Sequence, residues 1–420
     1  MFRKQFLIIA FILVVIAIAA MIYFVFFKDV ISPLANNTNG GTNGTLPGTN
    51  NAATNRVTVN DILANLPVIN ASTNALSTSV NAVPDTIARG GVTTVLSVTE
   101  TSAVSAAIAS DGSSVVYYDP ITKKFYRVSK DGKSRIELSS QIFPDVTNIV
   151  WSPSKDSAII TFPDQSKILF NFSNGTQATL PKEWDDITFS PQGNQVAYKF
   201  ITTDVNNRWL AVSQPDGSES VGVEPLGDND EDVQVAWSPD NQIVGLFHKS
   251  SSDTQEEVIP IGFHGENFKS FAVEGRGFES KWSPTGDKLL YTTYNSETNY
   301  NPTLTLVNVQ GDQVGQQRQS LGIQTWVDKC TFASSGSILY CAVPQKPPEG
   351  SGIYPELATS TPDVFWRVDL ATGLRTPLAV PVDENGNSQF SAQNIFLSTG
   401  EDFLYFTDAT SGRILRVQLK

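Results

Sequence analysis

Residues 281–294, KWSPTGDKLLYTTY, run from an aromatic strand end through a polar turn into an apolar strand. Pro284 presets φ for the second position of a type I turn, and Gly286 supplies the positive φ that ends it. The succession recurs along the chain. Its anchors are Ile108 in IASDG, Trp151 in WSPSK, Phe189 in FSPQG, Trp237 in WSPDN, Trp282 in WSPTG, Phe332 in FASSG and Phe396 in FLSTG. Successive anchors are 43, 38, 48, 45, 50 and 64 residues apart. Four places after the anchor stands Gly112, Gly193, Gly286, Gly336 or Gly400. Asn241 replaces it once, the next-best residue for a left-handed turn, and Lys155 departs from the pattern. Nine places after the anchors stand Tyr117, Ile160, Tyr198, Leu246, Tyr291, Cys341 and Tyr405, which predict a second, apolar strand.

A further hairpin lies inside most periods. FYRVSKDGKSRIEL (residues 125–138) reads strand, Asp-Gly turn, strand, and later periods turn at Gly175, Gly217, Gly265, Gly311 and Gly373. Each period thus holds four short strands, a to d. A four-stranded repeat of this length is a β-propeller blade, which must stack on neighbours because it cannot bury both faces alone. The prediction is an all-β, seven-bladed β-propeller of four-stranded antiparallel blades over residues 91–420. The seventh period runs out after strand c. The spare strand GVTTVLSV (residues 91–98) is expected to pair with that blade, closing the ring and hiding its edge.

Ahead of the repeats the pattern changes. Residues 6–27 form 22 positions without charge. As a helix they would span about 33 Å, enough for a bilayer core. Arg3 and Lys4 precede the run, while Lys28 and Asp29 nearly cancel after it. That asymmetry puts residues 1–5 in the cytoplasm as a stub and the rest outside, on a single N-terminal transmembrane helix. A cleaved signal peptide ending at AIAA is the alternative. Residues 28–90 read as a low-complexity Asn/Thr/Gly linker, too poor in apolar side chains to order itself. VNDILANL (residues 59–66) is a short helix candidate within it. The expected location is a single-pass membrane protein with its propeller at the cell surface or in the periplasm.

The Trp/Phe-Ser-Pro-x-Gly hairpin followed by an apolar-apolar-Tyr strand resembles the repeats of TolB-type propellers, related in shape to WD-repeat propellers. The resemblance covers residues 91–420 and implies a bacterial or archaeal extracytoplasmic protein-interaction module. WSPSK lacks the Gly, and IASDG, FASSG and FLSTG lack the Pro. The N-terminal anchor also sets the chain apart from the soluble member that names the family, so no family function is carried over.

A formal charge of −13 argues against nucleic acid as a partner. A serine peptidase would need a Gly-x-Ser-x-Gly elbow and a catalytic His. No such elbow occurs, and His248 and His264 fall on a strand end and in a c–d turn as surface or half-buried residues. No cofactor is expected. Calcium alone is weighed, because Asp228, Asp230 and Asp232, and likewise Asp383, Asn385 and Asn387, place oxygen ligands at alternate positions. Neither loop has the closing Glu of an EF-hand, and a solvated acidic loop is the plainer account. Cys330 and Cys341 face each other if Phe332 faces Leu339 across the sixth a–b hairpin, and outside the cytoplasm that pair would form a disulfide.

The a–b and c–d turns are short, whereas the b–c and d–a loops on the opposite face are long and acidic: EWDD, GDNDED, SSSDTQEE and VDENG. Variable loops on a rigid scaffold are where binding usually lives. The functional expectation is therefore a membrane-anchored binding module without catalysis. It would engage the membrane through its helix, and a protein or cell-wall partner through the acidic face. Two alternatives stand beside it: a propeller enzyme of lyase or glycosidase type with its site over the central channel, and a structural cell-surface protein.

Overall fold

The computed structural model describes residues 83–420. The expected spanning helix, and the linker up to residue 82, lie outside the described residues. Among the described residues no helix is long and apolar enough to cross a membrane.

Seven sheets make up an all-β, seven-bladed propeller. The first strands of the blades are Val104–Ile108, Asn148–Trp151, Trp184–Phe189, Val233–Val235, Arg276–Trp282, Cys330–Phe332 and Ala392–Leu397. These strands a touch one another from blade to blade. The Trp151 indole donates to the Ser105 carbonyl at 2.7 Å, Ser280 Oγ to Gln234 Oε1 at 2.7 Å, and Asn394 Nδ2 to the Ala106 carbonyl at 2.6 Å. They therefore form the inner wall. Between each pair of neighbouring blades lies one apolar cluster, such as Tyr118, Phe125, Phe143 and Ile160 between the first two. The last and first are joined by Tyr405, Ile414, Tyr117 and Val115. Strand b carries most of this burial because both of its faces meet a neighbour; all five residues of Val115–Asp119 are buried.

The recurring Ser has a structural reason. Its hydroxyl accepts a backbone N–H from the start of strand b: Gln195 to Ser190 at 3.1 Å, Ile243 to Ser238 at 2.9 Å, Lys288 to Ser283 at 3.1 Å. It thus closes the a–b hairpin from inside. The turn residue is left-handed in each hairpin, including Lys155 at φ 61° and Asn241 at φ 61°. At Gly112 (φ 71°) glycine is also required by space, since a Cβ would lie 2.5 Å from Thr399 Oγ1 of the seventh blade.

Two expectations are corrected. In the seventh blade the left-handed residue is Glu401 (φ 55°), not Gly400. Leu397 pairs with Leu404, as Phe332 pairs with Leu339, so the anchor is Leu397 and the ninth residue after it is Phe406. Glu401 is held there by Ser334 of the sixth blade, whose backbone N–H and hydroxyl donate to its carboxylate at 3.0 and 2.8 Å. Phe396, one place earlier, stacks instead on Tyr405 with ring centroids 5.2 Å apart. Most of the other anchors are only half-buried; Phe189 and Trp237 are buried. The closing strand is also split. Leu96–Ser97 pairs antiparallel with Ile414–Gln418 and completes the seventh blade. Val92–Thr94 runs parallel to Arg375–Val382 and adds a fifth strand to the sixth. The break falls at Val95, which is buried in the cluster between those two blades. One short segment therefore ties both blades together.

Candidate active site at the channel mouth

With the seventh anchor moved to Leu397, one position of the repeat becomes polar in every blade. Three residues before the anchor stand Ser105, Asn148, Asp186, Gln234, Glu279, Lys329 and Asn394. Ser105, Asp186 and Asn394 take left-handed φ of 50°, 47° and 47°. Each lies at a register shift between strands a and b. A bulge of this kind re-aims a side chain.

Four of these residues, Asp186, Gln234, Glu279 and Asn394, line a cavity of about 670 Å³ with Lys199, Glu231, His248, Phe278, Lys281 and Asp328. The lining comes from the starts of strands a and the ends of strands b. The cavity therefore opens on the face of the b–c and d–a loops, where the acidic stretches cluster.

Glu279 is wetted by the cavity yet enclosed by protein. Enclosure pushes its carboxyl above the usual range, and the charge of Asp328 adds to the effect. Its exposed surface moderates that rise. Lys281, two residues along the same strand and on the same face, is half-buried and its ammonium is pushed down by burial. Its Nζ donates to the Cys330 carbonyl at 2.7 Å. His248 is also half-buried, with Nδ1 3.4 Å from Glu256 Oε2 and its ring against Phe278. Burial alone would raise the Glu256 carboxyl; the His248 ring and the Gly277 N–H outweigh it and hold the carboxyl low. Lys329 leaves the polar ring. It is buried with Asp363, donating 2.7 and 3.0 Å hydrogen bonds to its two oxygens, and Asp363 also accepts the Ala392 N–H.

Other sequence candidates fall elsewhere. Asp230 is paired with Arg208 at 2.7 Å, and Asp230–Asp232 is a short 3-10 turn next to Asp228. Asp383 accepts the backbone N–H groups of Asn385 and Asn387 at 2.9 and 2.8 Å and so shapes its own loop. Among the described residues, no three His, Cys, Asp or Glu side chains gather to hold a metal ion. His264 sits in its c–d turn against Phe263. Cys330 and Cys341 are directly paired across the sixth hairpin and joined by a disulfide, with Cα atoms 4.1 Å apart. The polar ring was not anticipated from the sequence. Its signal, a polar residue three places before an apolar anchor in every period, was available there.

No family model matches the chain, and no curated protein matches it. Among solved structures the chain is similar to an oligogalacturonate lyase in complex with manganese and to an oligogalacturonate lyase from Vibrio parahaemolyticus. Each is 10% identical, with a TM-score of 0.49, over 78% of this chain and 93% of the other. It is also similar to the Cps50 (Swd1) β-propeller domain from Myceliophteria thermophila, at 10% identity and a TM-score of 0.51, over 78% of this chain and 100% of that one. At such identity the likeness is one of fold. The expectation of a binding module without catalysis is withdrawn, since two of these similar structures are lyases. No activity passes from those proteins to this chain.

Proposed function

We propose that the protein is an enzyme of lyase or glycosidase type, acting on a sugar-like, polyhydroxylated substrate in the cavity at the channel mouth. The observation that carries this is Glu279: a carboxyl held above its usual range inside a pocket of hydrogen-bonding side chains. A carboxyl whose pKa is raised keeps its proton to higher pH than an ordinary glutamate and can give it to a leaving oxygen. Asp328 is the nearby carboxylate whose charge helps to keep that proton in place. The capacity left on the amides of Gln234 and Asn394, which also bond Ser280 and Ala106, together with Asp186, suits hydroxyl groups, and Phe278 lines the same cavity. The test is turnover on a panel of neutral and acidic oligosaccharides, read as new reducing ends or unsaturated products. Glu279→Gln should lower the rate by about 10²- to 10⁴-fold with unchanged melting. Turnover that is indifferent to this change, or none on any member of the panel, contradicts the reading.

The same reading includes the setting. The apolar run of residues 6–27 would anchor the protein, with the propeller outside the cytoplasm. The Cys330–Cys341 disulfide supports this, because such bonds persist in oxidising compartments. Kinship with TolB-type propellers belongs to the same proposal, supported by the Ser-clamped Trp/Phe-Ser-Pro hairpins. Cell fractionation tests the anchor: full-length chain is expected in the membrane fraction, and mature protein starting near Met21 in the soluble fraction would contradict it.

A further inference from the structure

Two lysines in the channel have no use in the scheme above. Lys281 lies two residues further along its strand than Glu279, toward the a–b turns, and lines the same cavity. Lys155 is the left-handed residue of the second a–b turn. It lines a second cavity of about 620 Å³ together with Ser105, Gln393 and Thr407. Asn394 borders both cavities, which places them side by side along the inner wall.

Both lysines are half-buried, and each makes its hydrogen bond to a backbone carbonyl: Lys281 to Cys330 at 2.7 Å and Lys155 to Ser152 at 3.0 Å. Among the described residues neither has a carboxylate within 4.0 Å. In this acidic protein other channel cations are paired, such as Lys199, whose Nζ lies 3.5 Å from Asp186. An enclosed ammonium hydrogen-bonded only to a carbonyl keeps much of its desolvation cost, even where a carboxylate's charge reaches it as that of Asp328 reaches Lys281, and an arriving anion would offset it. Burial lowers both ammonium groups in the empty channel, and a bound carboxylate would favour their charged forms.

We propose that Lys281 and Lys155 bind carboxylate groups of the substrate, so that the ligand is an acidic sugar chain with uronate residues, running from the first cavity into the second. This rests on the sugar-site reading given above. It adds that the mouth, with Asp186, Glu231, Glu279 and Asp328, meets the hydroxyl-bearing part of the ligand, while the lysines take its charge.

Calorimetric titration of the intact protein with a glucuronate tetrasaccharide, and with its carboxyl-reduced neutral counterpart, tests this. The acidic form should bind about tenfold or more tightly than the neutral one, less so at high salt. Lys281→Met and Lys155→Met should each weaken the acidic form about tenfold and leave the neutral form unchanged. Lys281→Arg, which keeps the charge, should retain the preference and guards against a folding defect. Equal binding of the two sugars, or equal losses for both in the Met variants, overturns the charge assignment while leaving the sugar site standing. Failure of either sugar to bind overturns both.

Discussion

Glu279 and Asp363 are both acidic residues with raised carboxyls, one exposed to the cavity and the other buried, and their surroundings treat them differently. Asp363 is buried to 1% exposure and compensated by Lys329 and the Ala392 N–H. Removing one partner of such a pair strands the other charge. Asp363→Ala should therefore cost about 3–5 kcal/mol in urea unfolding, and joint replacement of both residues by apolar ones should recover much of it. A single change costing under about 1 kcal/mol would mean that the pair is not buried as described. Glu279 has no such partner among the described residues. Its folded value lies above the unfolded one, so its contribution to stability is complete below the ordinary glutamate range. That contribution is lost as pH rises through the raised value. Proton donation in turnover should fade over the same rise. The two roles were unequally legible in the sequence. A polar residue three before the anchor can be counted, but whether it meets the channel, like Glu279, or a buried partner, like Lys329, depends on a residue 34 positions away.

At the scale of elements, the a–b hairpin was the most legible unit, because its turn, its Ser and its strand b are local in sequence. It failed only in the seventh blade. There Gly400 stands one place early, and Glu401 is drawn into the turn by Ser334, a contact 67 residues away that no local pattern reveals. The splitting of the closing strand at Val95 is of the same kind, since its cause is the packing between the sixth and seventh blades. In the sixth hairpin Cys330 and Cys341 are both fully buried, and 11 residues separate them. Their disulfide closes a short loop, so replacing both with Ala should cost about 2–3 kcal/mol in chemical denaturation. Unchanged stability would show that the bond constrains little in the unfolded chain.

For the molecule as a whole, the blade count, the fold class and the disulfide partners could be read from the repeat, because the a–b hairpin recurs seven times and each unit needs neighbours to cover its faces. The site could not, since it exists only once seven inner strands converge. Of the acidic stretches that drew attention in the sequence, Asp383 and Asp230 are occupied with their own geometry, while Asp186 and Glu231 reach the cavity. The chemistry is assigned one layer inward, at the channel mouth. The measurement that bears most directly on that assignment is the titration of the Glu279 carboxyl in the intact protein, followed by carbon NMR and identified by loss of its signal in Glu279→Gln. The account predicts a midpoint above the ordinary value of 4.5. A midpoint at or below that value would contradict it.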